Sequence, residues 1–422
     1  MNEGNFEDAS MVYQQLFEQN DMKNSYYLSR LGQCLKRLCR EGEFLAYCET
    51  LENKQILKEK YVKSMLCWCH YNVNIKNQKN LSNNELEKMA NSAKFIIENS
   101  EQSECGNHNT PYVSTVFRVL KEIKEKVGQN YSKKNNDQIL KWLSYLDVDK
   151  LSEVSERFED SEGIEREHAS QKEKFYMYKL KALEKNGDYE NCSKTCDEAF
   201  NKIKKLHYRN EVWFKNRKLY SECKLGNIEC LKEYEKFAIK SNEWFIYHKL
   251  GLIFWSIGKI DEAIFYCSKA VSTSSKYEAM VNVLQDLGEL WNKKDEECSK
   301  IFFQACAYFR SRRHWIIPQE LDYYIDAYDI DVNEKPNTKM IVRISKEYIE
   351  SKYKVFEGKI IKINIEKKFG FIESIDFPEN IYFNFRNKKN RKTNFFVGDT
   401  VYFSINEILD GRKEALEVEK RG

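Results

Sequence analysis

Aromatic and basic residues gather near the end of this sequence in a spacing suited to holding nucleic acid. Phe369 and Phe371 flank Gly370. In an extended strand both rings therefore leave the same face. Gly370 between them admits another backbone at close range. Tyr382 and Asn384 alternate likewise further along. Rings on one face of a sheet stack bases whatever their identity, at about 1–3 kcal/mol per base. Lys359, Lys362, Lys367 and Lys368 surround the phenylalanines, and the loop Arg386–Lys392 (RNKKNRK) holds five positive charges and no acid. Cations so placed neutralise phosphates.

These residues need a sheet to hold them, and the sequence changes character where one would begin. From about residue 355 it runs as short segments rich in Phe, Ile, Val and Tyr, with glycines at 358, 370, 398 and 411. Residues 351–422 carry 15 Lys/Arg and 11 Asp/Glu, a net of +4, against +3 for the whole chain, so the first 350 residues net −1. The basic character is local. Before it lie a polar break, NEKPNT (333–338), and one amphipathic segment, MIVRISKEYIESKY (340–353). Three regions are expected: a helical domain over 1–335, a linker helix over 336–354, and a β domain over 355–422.

The tail resembles a cold-shock domain, a five-stranded OB-type barrel that binds single-stranded nucleic acid. Gly358–Ile372 reads GKIIKINIEKKFGFI and aligns without a gap with the family's opening pattern, roughly GTVKWFNAEKGFGFI. Gly358, Asn364, Lys367, Phe369, Gly370, Phe371 and Ile372 match. IYFNF (381–385) stands where the family has VFVHF, and Gly398, Val401, Phe403, Gly411, Ala415 and Val418 follow its closing strands. The resemblance implies a nucleic-acid face formed by Lys362, Asn364, Lys367, Lys368, Phe369, Phe371, Tyr382, Asn384, Phe385, Arg386, Lys388 and Lys389. Of Phe383 and Phe385, it assigns Phe385 to the face. Two departures bear on stacking. Lys362 replaces the family's tryptophan and Asn384 its histidine. Less stacking and more reliance on phosphate charge follow, so binding should be weaker, more salt-sensitive and less selective.

The rest of the chain reads as helix after helix. No proline occurs between residues 112 and 317, and proline is the strongest helix breaker. In residues 242–271, Tyr247, Leu250, Gly251 and Phe254 share one helical face. Gly258 and Lys259 form a turn, and Ala263, Cys267 and Ala270 make a stripe of small residues on a second helix. This resembles the tetratricopeptide repeat (TPR), a helix pair of about 34 residues. Weaker copies lie at 174–203, with the turn Gly187–Asp188, at 211–240, with the turn Gly226–Asn227, and at 280–309, with the pair Leu287–Gly288. Residues 4–17 read as the second half of a unit, and Leu31–Gly32 opens the next. Residues 50–170 are expected to be divergent helical repeats. The charged run 155–174 is taken as a loop or a very polar helix. Four to five clear units and eight or nine helix pairs are expected in all. The resemblance implies an extended concave surface that docks a protein partner.

Other constellations carry less. CysTrpCysHis (67–70) suggests metal, yet on a helix Cys67 and Cys69 diverge by about 200°, and no second ligand pair has the spacing for zinc. Cys192 and Cys196 sit in a small-residue stripe and read as buried thiols. The acids of LDYYIDAYDID (321–331) read as a solvated face. ArgSerArgArgHisTrp (310–315) either extends a nucleic-acid path, caps the last repeats or contacts the barrel. No P-loop, nucleophile elbow, HExxH or dinucleotide loop occurs. No catalytic residue, metal or cofactor is expected.

No run approaches the ~20 apolar residues of a membrane helix, and the N-terminus has no secretory pattern. With 13 cysteines and no export signal, a reducing cytoplasm and free thiols are expected. The expected fold is mostly α with a small C-terminal β domain: a TPR-like α-solenoid and a five-stranded OB-type barrel. The expected function is a non-enzymatic adaptor whose tail binds single-stranded nucleic acid, RNA slightly ahead of DNA, while the array docks a protein. The alternatives are a protein scaffold with the barrel face buried, or a regulatory subunit of a bacterial defence nucleic-acid enzyme.

Overall fold

The computed structural model describes residues 3–19, 24–76, 78, 82–103, 110–127, 133–352, 354–384, 394–407 and 413–420. The chain divides into two compact units, residues 1–221 and 222–422. The fold is mostly helical, with a closed five-stranded barrel at its C-terminal end. Among the described residues there are seventeen α-helices. No helix among them is long and apolar enough to cross a membrane.

The first unit contains α1 (Glu3–Gln19), α2 (Ser25–Arg37), α3 (Glu41–Thr50), α4 (Lys60–Asn74), α5 (Asn83–Asn99), α6 (Tyr112–Val127) and α7 (Lys133–Leu143). A short hairpin, β1 (Arg157–Glu159) and β2 (Glu165–Glu167), separates these from α8 (Gln171–Asn186), α9 (Tyr189–Lys202) and α10 (Asn210–Lys224). Caps fix the helix starts. Ser170 Oγ accepts the Glu173 N–H at 3.2 Å, and Asp188 Oδ1 accepts that of Asn191 at 3.3 Å. The turn glycines Gly187, Gly226 and Gly258 take φ of 75°, 90° and 79°, a conformation that glycine reaches without penalty.

The hairpin corrects the expectation of a loop or polar helix over 155–174. Its strands pair antiparallel, Arg157 opposite Glu167 and Glu159 opposite Glu165. Asp160 Oδ1 accepts the N–H groups of Glu162 and Ile164 at 2.9 and 3.0 Å. That side-chain turn competes with helix and wins. Phe158 stacks on His168 at 4.0 Å.

The cysteine expectations can be placed directly. Cys67 packs with Ile75, Met89 and Ile96, whereas Cys69 packs with Phe44, Val62 and Met65. The two thiols face different cores, as the helical period requires. Burial pushes both thiols up, Cys67 to about 11 and Cys69 to about 12. Cys192 and Cys196 are fully buried and donate towards the carbonyls of Leu180 and Phe214.

The second unit contains α11 (Ile228–Ser241), α12 (Trp244–Ser256), α13 (Ile260–Thr273), α14 (Val281–Trp291), α15 (Glu296–Arg312), α16 (Gln319–Ala327) and α17 (Thr338–Lys352). The small-residue stripe Ala263, Cys267 and Ala270 is fully buried. At Gly251 a Cβ would lie 2.5 Å from Cys267 Sγ, and at Gly288 one would lie 2.7 Å from the Phe303 ring. The Leu–Gly pairs thus mark where helices cross most closely. Arg310 is buried and donates to the Ile316 carbonyl at 3.1 Å and to Asn282 Oδ1 at 2.9 Å, while Arg313 pairs with Glu278 at 2.8 Å. Two arginines of the basic segment 310–315 are therefore spent on closing the end of α15.

The segment expected as a linker forms α17, which packs against α13 and α15. Ile341 and Ile344 are buried, and the Tyr348 ring meets Trp291 at 5.2 Å. Asp261 gathers Lys294, Lys352 (2.6 Å) and the Tyr348 hydroxyl (3.2 Å). Hydrogen bonding, first from Lys294 and then from Lys352, holds its carboxyl well below the ordinary range.

Filling a helix crossing should be felt at once. Gly288→Ala is expected to cost about 1–3 kcal/mol, the usual penalty of an overpacked core, and to lower the thermal midpoint. Adding Phe303→Leu should recover part of the loss. A Gly288→Ala midpoint within about 1 °C of wild type would rule out the close crossing.

Candidate nucleic-acid interface

The C-terminal barrel is built from β3 (Val355–Asn364), β4 (Phe369–Glu373), β5 (Ile381–Asn384), β6 (Thr400–Glu407) and β7 (Lys413–Lys420). It closes in the order β3-β4-β5-β7-β6. Neighbours pair antiparallel except β5 and β7, which run parallel. This is the OB-type arrangement. Its core is Ile360, Ile372, Ile381, Phe383, Phe395, Val401, Phe403, Ala415 and Val418. The apolar residues of the closing strands are thus inward, as the sequence pattern implies.

Alternation then fixes what points outward. Gly370, Ile372, Ile381 and Phe383 are buried on β4 and β5, so Phe369, Phe371, Tyr382 and Asn384 occupy the outer face. The register aligns Lys362 with Phe371 and Phe371 with Tyr382, and likewise Asn364 with Phe369 and Phe369 with Asn384. A bulge between Ile360 and Lys362 shifts β3 and brings Lys362 onto the outer side. The three rings touch one another: Phe369–Phe371 at 5.9 Å, Phe369–Tyr382 at 5.7 Å and Phe371–Tyr382 at 5.9 Å. Each ring is half-buried, within the separation at which aromatic pairs add stabilisation beyond their buried area.

Gly370 makes the arrangement possible. A Cβ there would lie 2.4 Å from the Phe383 ring and 2.7 Å from the Lys362 carbonyl oxygen. Only a backbone without a side chain lets Phe383 fill the barrel beneath the platform.

The charged residues are spread along this face: Lys367 and Lys368 in the β3–β4 turn, Lys362 beside Phe371, and Lys359 at the far end opposite Glu373. Lys359, Lys362, Lys367 and Lys368 are all exposed. Asn364 works differently from its neighbours. Its Oδ1 accepts the Lys367 N–H at 2.8 Å and so closes the β3–β4 turn. It positions the platform. In the same turn Lys368 takes φ of 55°, at the position where the cold-shock pattern has glycine. Phe385, Arg386, Lys388 and Lys389, with the rest of the loop to Lys392, lie outside the described residues.

Two acids of the outer face escaped the sequence: Glu373, outward on β4 and opposite Lys359, and Glu414. Glu414 pairs with Tyr382 across the parallel β5–β7 ladder, while the next pair, Phe383 and Ala415, is in the core. Glu414 therefore stands beside Tyr382 on the platform side. Burial pushes its carboxyl above the ordinary value. The period-two pattern around Ala415 turns Glu414 outward, but only the long-range pairing places it at the rings.

No protein family matches the sequence, and no curated protein is significantly similar to it. Among solved structures, BtubC from P. vanneervenii is 13% identical, with 57% of this chain and 90% of that one covered, at a TM-score of 0.29. The human IFIT1 dimer with m7Gppp-AAAA is 12% identical, with coverage of 83% and 78% and a TM-score of 0.28. Yeast Tom70 is 10% identical, with coverage of 82% and 86% and a TM-score of 0.22. Likenesses of this size carry no argument for function, which rests on the site itself.

The turn offers a variant with two opposed effects. A left-handed backbone costs a residue with a Cβ about 1–2 kcal/mol, and glycine returns part of that as unfolded-state entropy. Lys368→Gly should raise the denaturation midpoint slightly, by about 0.5 kcal/mol, and should also weaken binding to any polyanion. Lys368→Ala should lose the charge without the gain in stability. Equal midpoints for the two variants in urea would contradict strain at this position.

Proposed function

We propose that this chain is a non-catalytic, nucleic-acid-binding adaptor. The cold-shock-like barrel holds single-stranded RNA or DNA, and the helical array holds a protein partner. One observation carries the proposal: Phe369, Phe371 and Tyr382 form a ring cluster on the outer face of a closed barrel, with exposed lysines at its rim. Their ring–ring contacts are with one another. A core position would not need that arrangement, because the core beneath is already filled by Phe383 and Phe395.

The division of labour follows from chemistry. Rings stack on bases without choosing among them, and lysines neutralise phosphates without reading sequence. Lys362 stands beside Phe371 where the family has an aromatic, so charge supplies a larger share of the binding free energy. Tethering a protein on the array then raises that partner's effective concentration near the strand. The chain contributes no chemistry of its own, and any reaction belongs to what it brings together.

The test is fluorescence anisotropy of the full-length protein with labelled single-stranded RNA, single-stranded DNA and duplex over a salt series. Single strands should bind best, with a log–log salt slope of about −3 if some four lysines meet phosphates. Phe369→Ala with Phe371→Ala should cost about 30-fold or more, two stacked bases' worth, while circular dichroism shows the fold intact. Unchanged affinity in a folded double variant, or no binding by wild type, would overturn the proposal in favour of a purely protein-binding scaffold.

A further inference from the structure

Across the outer face of the barrel, one row of residues runs over four adjacent strands: Lys362 on β3, Phe371 on β4, Tyr382 on β5 and Glu414 on β7. Each step is a register pair, so neighbouring side chains leave the sheet on the same side. At about 4.8 Å per step the row spans about 14 Å. It begins with a cation, passes over two rings in mutual contact, and ends with an acid. A row of this kind has a direction. Phosphates are drawn to the Lys362 end and repelled from the Glu414 end, so a base lying on the rings turns its edge towards the carboxylate.

A carboxylate only accepts hydrogen bonds. It therefore favours a base edge that carries amino donors, as a Glu or Asp does when it accepts from cytosine N4. Uracil and thymine present a carbonyl oxygen at the corresponding position, which sets lone pairs against lone pairs. Partial burial of Glu414 strengthens the discrimination, because water competes less for the carboxylate. The stacking rings alone would not distinguish the two pyrimidines.

We propose that Glu414 reads the base edge, and that the platform takes cytosine and other amino-bearing bases in preference to uracil or thymine. This rests on the nucleic-acid reading of the barrel given above. It also gives the site a choice of base that the lysines and rings cannot supply.

Cytidine and uridine 12-mers separate the two ideas, since their bases differ at the amino-versus-carbonyl position and in the N3 proton. Full-length wild type should bind the cytidine strand about tenfold tighter by anisotropy, a typical value for one good side-chain contact to a base. Glu414→Gln should bind both strands more tightly, because a negative charge near phosphate is gone, and the ratio should fall towards one, because an amide can also donate to uracil. The variant is expected to fold. A carboxyl whose value is raised on folding disfavours the native state above that value and not below the unfolded one, and Gln keeps the side chain's shape while removing that cost at neutral pH. Equal wild-type affinity for the two strands, a preference for uridine, or a cytidine preference that survives in Glu414→Gln would each overturn the role of Glu414 while leaving the platform intact. Failure of both strands to bind would overturn the platform as well.

Discussion

The barrel depends on one close approach. Phe383 enters the space that a side chain at position 370 would occupy, and there its ring meets Phe395 at 5.5 Å. That contact holds β4 against β5 in a single register, because a slip of one residue would turn every core side chain to solvent. Once the register is fixed, the outward rings need no further instruction. The same device recurs in the helical array, where Gly251 and Gly288 let Cys267 and Phe303 approach a neighbouring backbone. In both settings a missing side chain defines the contact, and larger groups pack around it.

Legibility followed the range of the interaction. Phe369 and Phe371 were readable because alternation along one strand is local, and the Leu–Gly pairs because helical periodicity is local too. The barrel's closing residues, such as Val401 and Val418, became readable only through the resemblance, and they do lie in the core. Glu414 was not readable. Its position beside Tyr382 is set by a parallel pairing between segments some thirty residues apart, and nothing in either segment announces it. The hairpin over 157–167 was hidden for a different reason. Its charged composition suggested solvent, while the determinant was a single side chain, Asp160, binding its own backbone. Asn364 carries a task that alternation does not announce, since its amide oxygen closes the β3–β4 turn.

The electrostatics of the chain are arranged at two scales. The overall balance is near neutral, so a long-range field contributes little to capturing a polyanion. What remains is local: Lys362 beside Phe371, Lys367 and Lys368 in the adjoining turn, Lys359 opposite Glu373, and Glu414 beside Tyr382. Charges at this spacing lie within or near a Debye length at physiological salt, so they act on individual phosphates and bases, with little effect on the approach of a distant strand.

The clamp on α17 has a mechanical consequence. Lys352, the last residue of that helix, is held by Asp261, and β3 begins at Val355. If the proposed function holds, tension on a strand crossing the platform would load β4 and β5 first and pass to β3 through the ladder. The helix that precedes β3 in the sequence is braced on α13 by the Lys352–Asp261 pair, so that pair is where such a load would meet the helical array.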